Sequence, residues 1–150
     1  MVQLKYFGMV ITKDNDRVFM LRRAAKHSIG KWEFPCGKGD LSETPIQSAA
    51  REFGEETGHI IRVQDLRLGM SFMAGQISDP SQNIMWQNDV YLLDGRHLQK
   101  ELKVAEPNTH DLCKWVLIKD LPKMTALGHV ADMSAVPVPW LVLMADSLPG

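Results

Sequence analysis

Apolar positions come in short runs along the first quarter of the chain, and their spacing predicts strands. LKYFGMVIT (4–12) and RVFMLRR (17–23) are apolar and rich in β-forming side chains, and the turn signal KDND between them predicts a hairpin. KWEFP (31–35) alternates Trp32 and Phe34 on one face with Lys31 and Glu33 on the other, as a short strand does. A glycine-bearing loop, CGKGDLSE, follows.

The period then changes to that of a helix. Thr44 is a good N-cap, Pro45 suits the first helical position, and Gln47 stands where a capping-box partner reaches back. Gly58 closes the segment as a left-handed cap. Ile46, Ala49, Ala50, Phe53 and Thr57 recur at helical spacing and predict a mostly apolar buried stripe, with the glutamates lying off it. Further on, 60–76 and 84–94 read as strands joined by a turn at 77–83. Residues 96–111 read as a polar loop or partly helical excursion, and 113–122 as a strand running into a turn. A final helix is expected over 123–135, stopped by Pro137 and Pro139. Antiparallel strands mixed with two helices predict an α+β, or mixed α/β, fold in layers. No repeat or linker-like stretch interrupts residues 1–150, so one domain is expected, long enough to bury its own core.

Composition narrows the partners. Lys and Arg total 17 against 18 Asp and Glu, a net charge of -1 that argues against a general nucleic-acid or anionic-membrane surface. Any phosphate binding must be local. The first residues lack a basic leader with an apolar run, so no signal peptide is expected, and the longest apolar run, AVPVPWLVLMA, is too short to span a bilayer. Cys36 and Cys113 are too few for a disulfide framework and lack metal-ligand spacing, which points to a reducing, cytoplasmic setting.

The chemistry concentrates in REFGEETG, residues 51–58. On a helix Glu52, Glu55 and Glu56 point to a shared patch, and each like-charged i,i+4 contact costs roughly 0.2–0.5 kcal/mol when nothing neutralises it. Arg51 lies four residues before Glu55 and neutralises it in part, but one guanidinium is not expected to satisfy three carboxylates. A divalent cation can, since Mg²⁺ takes oxygen ligands from a few carboxylates plus substrate phosphates. A lone acidic run is more often a solvated face. Here the run completes a spaced pattern: Gly37, five residues, Glu43, seven residues, then R-E-U-x-E-E-x-G with the apolar U at Phe53. Seven fixed positions of average composition coincide by chance on the order of once in 10⁸ starts.

This pattern, over residues 37–58, resembles the signature of the Nudix hydrolases. The flank RRAAKHSIGKWEFPCGKGDLSETP is similar to the corresponding stretch of the MutT-like branch. The resemblance implies a Nudix fold, an α/β/α sandwich with a mixed central sheet. It also implies water attack on a nucleoside diphosphate linked to another moiety, with Mg²⁺ or Mn²⁺ required. By position it makes Glu52, Glu55 and Glu56 metal ligands, with Glu52 or Glu56 also a candidate base. Arg51 would orient a glutamate through an ion pair, and Glu43 would be a supporting acid. The loop carbonyl at Cys36, beside Gly37, would be a further ligand, as would Glu106 before Trp115. Arg22, Arg23, Lys38 and Trp86 are the substrate-binding candidates, with Trp32, Phe34 and Phe72 as further stacking faces or core. Glu101 lies in the same polar loop, where His110 reads as a surface residue able to donate to phosphate. The usual PGG is PCG here, and His59 stands where the pattern has an apolar residue, a role Ile60 could fill.

These implications favour a MutT-like hydrolase that converts (deoxy)nucleoside triphosphates to the monophosphate and pyrophosphate, modified nucleotides included. The alternatives are hydrolysis of ADP-ribose, a nucleotide sugar or a capped RNA end, and a non-catalytic nucleotide-binding module. SAVPVP (134–139) lacks the asparagine with which MutT reads oxidised guanine, and Pro80 leaves the ADP-ribose reading open. The expected partner is the nucleotide, with no membrane and no stable nucleic acid; a homodimer is compatible with the fold.

Overall fold

The protein was analysed as a computed structural model that describes residues 3–75, 84–98 and 101–131. Strands β1 (Gln3–Asp14) and β2 (Arg17–Arg23) form the expected hairpin, with Asn15 in the left-handed region at φ 55°. Its pairing lasts only for Lys13↔Val18 and Asp14↔Arg17. Beyond these the two strands part. β1 runs parallel to β6 (Ile84–Asp94) along its whole length, from Gln3↔Ile84 to Lys13↔Asp94. β2 turns instead to β7 (His110–Leu117), antiparallel from Arg17↔Leu117 to Arg23↔His110.

The gap between β1 and β2 takes two short strands. β3 (Trp32–Glu33) pairs with β2 at Leu21↔Glu33, and β4 (Cys36–Lys38) pairs with β1 at Met9↔Cys36. Between them the Val10 N–H donates to the Pro35 carbonyl at 2.8 Å. The segment expected to be a glycine-bearing loop therefore begins as a strand, because β1 leaves an unpaired edge there. β5 (Leu66–Gly75), antiparallel to β6, completes a mixed sheet of seven strands among the described residues. A 3₁₀ turn over Val63–Asp65 replaces the start of the longer strand read from the sequence.

Alternate side chains of the central strands enter opposite layers, which is why these strands read as apolar runs rather than alternating ones. Val10, Phe19, Leu21, Tyr91 and Leu93 pack on one face with Ala49 and Phe53 of helix α1 (Pro45–Thr57). Met9, Ile11, Val18, Met20 and Val90 pack on the other with Leu121 of helix α2 (Leu121–Ala126). Helices cover both faces of one mixed sheet, as expected of an α/β/α sandwich.

α1 begins with Thr44, whose hydroxyl accepts the Gln47 N–H at 3.3 Å while the Gln47 side chain accepts the Thr44 N–H at 3.0 Å. Gly58, at φ 75°, ends it by donating to the Gly54 carbonyl at 2.9 Å. α2 is shorter than expected. It stops at Ala126, and Gly128 at φ 74° turns the chain so that Val130 bridges to Trp32. The turn at 77–83 with Pro80, and SAVPVP with Pro137 and Pro139, lie outside the described residues. Ile61 rather than Ile60 is buried after the helix; Ile60 is 90% exposed.

Candidate active site

Helix α1 presents its carboxylates to two different surroundings. Arg51 Nε lies 3.0 Å from Glu43 Oε1, and its Nη1 lies 3.1 Å from both Glu52 Oε1 and Glu55 Oε1. One guanidinium thus meets three carboxylates, but of Glu52, Glu55 and Glu56 it reaches only the first two, in line with the expectation that it would not satisfy all three. The trio contains Glu43 and leaves out Glu56. These bonds, Glu43 first, raise the Arg51 pKa above its ordinary value. Ser48 fastens the preceding loop to the helix: its hydroxyl donates to Glu43 Oε1 at 3.1 Å and accepts the Asp40 N–H at 3.1 Å.

Glu56 sits apart, only 4% exposed. It lies three residues after Phe53 and shares its buried face, so the expectation that every glutamate lies off the stripe fails here. The Cys36 N–H donates to Glu56 Oε1 at a long 3.4 Å, and Oε2 has no hydrogen-bond partner. Burial, then the charges of Glu33 and Glu52, push its pKa up to about 9. Without a compensating cation it carries a proton at neutral pH.

Glu52 bridges the two surroundings. Burial first, then Glu55, raises its pKa against the pull of Arg51. Its carboxylate lies against Gly37, where an added Cβ would come within 2.3 Å of Glu52 Cδ. The strand residue must be glycine for this carboxylate to keep its place. Glu106, half-buried in the loop before β7, contributes repulsion to both Glu52 and Glu56 and so faces the same space. Glu101 is exposed and acts instead on Cys113.

Glu33 was not identified from the sequence as part of this site, and His110 was expected at the surface. Glu33 is 5% exposed, and its Oε1 receives Arg23 Nη1 at 2.9 Å and His110 Nε2 at 2.8 Å. His110 is 1% exposed and no surface residue; β7 begins with it opposite Arg23. The pattern in KWEFP reads Glu33 as outward, and only the β2–β7 pairing, invisible in sequence, brings a histidine 77 residues away against it.

Arg23, Glu33, Gly37, Lys38, Glu56 and His110 line a cavity of about 290 Å³. Arg23 also donates to the carbonyls of Ala25, at 3.2 Å, and His27. Arg22 lies outside this cavity and is held by Asp111 at 2.8 and 2.9 Å. Trp86 stands beside the lining, with Lys38 Nζ and Lys5 Nζ each 5.7 Å from its ring centroid. Phe34 is core, Phe72 packs against it, and Trp32 is covered by Lys114 at 4.3 Å. Burial, then Glu33 and Glu56, push the Cys36 thiol well up, so it is no ready thiolate. A larger cavity, about 590 Å³, lies behind the end of α1, but there Arg62 and Asp65 neutralise each other at 3.0 Å.

Among the described residues no three His, Cys, Asp or Glu side chains are already gathered round one point. The donor set nevertheless suits a hard divalent cation: every side-chain donor from Glu52, Glu56 and Glu106 is a carboxylate oxygen. The unpartnered Glu56 Oε2 and the glycine that makes room for Glu52 are the two features a cation would use.

Residues 3–136 match the NUDIX domain, and the chain belongs to that family. Its MutT-like character shows in a 50-residue stretch 46% identical to the 8-oxo-dGTP diphosphatase of Escherichia coli (strain K12), covering 33% of this chain and 39% of that protein. A stretch of 61 residues is 41% identical to the RNA pyrophosphohydrolase of Pseudoalteromonas translucida (strain TAC 125), covering 41% of this chain and 33% of the relative. The chain thus spans about a third of the length of the curated relatives it matches. The same fold occurs in a bifunctional NMN adenylyltransferase/ADP ribose pyrophosphatase from Francisella tularensis, solved with AMP and a manganese ion. That likeness has a TM-score of 0.67 and 18% identity, over 97% of this chain and 42% of the other. Among the described residues no helix is long and apolar enough to cross a membrane.

Proposed function

We propose that the protein hydrolyses the phosphoanhydride of a (deoxy)nucleoside triphosphate, releasing the monophosphate and pyrophosphate. The observation that carries this is the division of labour on α1: Arg51 gathers Glu43, Glu52 and Glu55, while Glu56 is buried beside Gly37 with one oxygen unpartnered. Glu52, Glu56 and Glu106, with the Cys36 carbonyl, would hold Mg²⁺ or Mn²⁺, which neutralises charge on the phosphoryl oxygens and acidifies water.

The chain's own residues supply the remainder. Water oxygen bonds to phosphorus, the bridging oxygen leaves with the bond's electron pair, and the water proton passes to a carboxylate. Glu52 suits that acceptor role: it is half-buried, oriented by Arg51 and held against Gly37. Arg51 keeps Glu52 and Glu55 aligned, and Glu43 with Ser48 keeps Arg51 in place. Lys38, on the cavity wall, suits phosphate; Arg23 lines the same wall but is engaged by Glu33 and two carbonyls, and Arg22 is turned to Asp111. Trp86, flanked by Lys5 and Lys38, offers a face for the base.

The test is a turnover panel on purified protein with Mg²⁺, covering ordinary and oxidised (d)NTPs, ADP-ribose, nucleotide sugars and 5′-triphosphorylated RNA. Release of pyrophosphate from triphosphates supports the proposal and names the base. Cleavage confined to ADP-ribose or sugars, or to RNA ends, moves the protein to another branch. Tight nucleotide binding without turnover makes it a binding module.

A further inference from the structure

The chain Arg23–Glu33–His110–Glu56 is built from four segments and is buried almost throughout. Glu33 Oε1 accepts from both Arg23 and His110, so the hydrogen on His110 lies at Nε2. The same Nε2 stands 3.9 Å from Glu56 Oε2, the oxygen without a partner. Arg23 is itself fixed by two carbonyls, so neither Glu33 nor the imidazole has freedom to move. The backbone of His110 holds a second carboxylate residue, since its N–H donates to the Glu106 carbonyl at 3.0 Å. The loop bearing Glu106 is in turn fastened to the end of α1, through Ala105 N–H to the Glu56 carbonyl at 3.0 Å and Lys103 N–H to the Thr57 carbonyl at 3.2 Å.

From this geometry we infer that His110, oriented by Glu33, is a positioning residue whose ring sets the placement of the Glu56 carboxylate opposite that of Glu106. This rests on the reading of those carboxylates as the cation-holding pair. The ring nitrogen lies 3.9 Å from Glu56 Oε2, while the His110 backbone N–H, which side-chain substitution leaves in place, closes the turn that carries Glu106. Outer partners of this kind orient carboxylate ligands, and their loss typically lowers metal affinity by about 10–100-fold. A merely structural tie between β2, β3 and β7 would affect folding stability without changing cation binding.

The experiment uses the full chain without nucleotide and follows Mn²⁺ binding by electron paramagnetic resonance of the free ion. Thermal unfolding in chelator and steady-state turnover are run beside it. His110→Leu keeps the ring's bulk in part but offers no N–H; the expected result is Mn²⁺ binding weaker by about tenfold or more. His110→Gln presents an amide N–H near the former Nε2, and most of the affinity should return. Should His110→Leu fail to fold, Glu33→Gln, which preserves volume and leaves the histidine without a charged acceptor, is expected to weaken Mn²⁺ binding in the same direction. Unchanged Mn²⁺ affinity in folded His110→Leu or Glu33→Gln, with only a lower melting temperature, overturns the inference, as does a wild-type chain that binds no Mn²⁺. If wild type turns over nothing while His110→Leu still loses Mn²⁺, the hydrolase proposal fails and the positioning role stands.

Discussion

Glu55 and Glu56 are neighbours in sequence and lie in opposite circumstances. The Glu55 side chain is 46% exposed and rests on Arg51, while that of Glu56 is 5% exposed with one oxygen unpartnered. A rotation of about 100° around the helix axis separates an ordinary surface ion pair from a buried acid that holds its proton. The first contributes about 0.3–0.5 kcal/mol by the measure of exposed helix pairs. The second keeps its proton until a cation would displace it. Crowding of charge on a helix therefore has no single meaning; each carboxylate takes its character from what the neighbouring strands put in front of it.

Glu56→Gln breaks the comparison most sharply. Turnover should fall by about 10²–10⁴-fold, the range for a positioned acid–base or ligand group. The melting temperature without metal should barely change near pH 4.5 and should rise at neutral pH, because the wild type must take up a proton on Glu56 to fold there and the neutral amide need not. A parallel loss of fold would show that Glu56 is structural. Gly37→Ala comes next. Its new methyl meets only the far end of the flexible Glu52 side chain, so stability should hold while turnover drops by roughly tenfold or more, read from kcat at saturating cation.

A third test sharpens the comparison through pH. The folded pKa of Glu56 lies above its ordinary value, so the native state binds a proton that the unfolded state releases. Stability without metal should be fullest below about pH 4.5 as far as this group is concerned, and decline as pH rises toward about 9. The groups facing it are Glu33, Glu52, Glu106 and His110. Urea unfolding at several pH values in chelator measures the slope, and Glu56→Gln should flatten it. Glu55→Gln belongs at the small end: turnover should fall less than in Glu56→Gln, and stability by well under 1 kcal/mol. Smallest for the site is Thr44→Ala, which should cost about 1 kcal/mol of stability through the lost cap and leave cation binding untouched.

Much of the architecture was legible because it rests on local rules. The cap pair Thr44 and Gln47, the left-handed Gly58, the hairpin turn at Asn15 and the strand over Ile84–Asp94 all depend on neighbours in sequence. The short strand at Cys36 and the early end of α2 were not legible, since each follows from where another segment leaves an edge or a surface open. Within the site, Arg51 with Glu55 could be read from i,i+4 spacing. Glu43 on the same guanidinium was anticipated as a supporting acid, but its contact needed the loop to fold back over Ser48.

Residue order alone thus determined that a capped, amphipathic helix carries four acidic or basic side chains within two turns behind a glycine-bearing segment, and that this spacing is a Nudix pattern. Which carboxylate is buried, and against what, was decided by the tertiary structure. The parting of β1 from β2 opens the space, β3 and β7 bring Glu33 and His110 into it from opposite ends of the chain, and α1 turns Glu56 toward them. Burial and charge proximity depend on distance in space, and long-range strand pairing sets that distance independently of any periodicity within a segment.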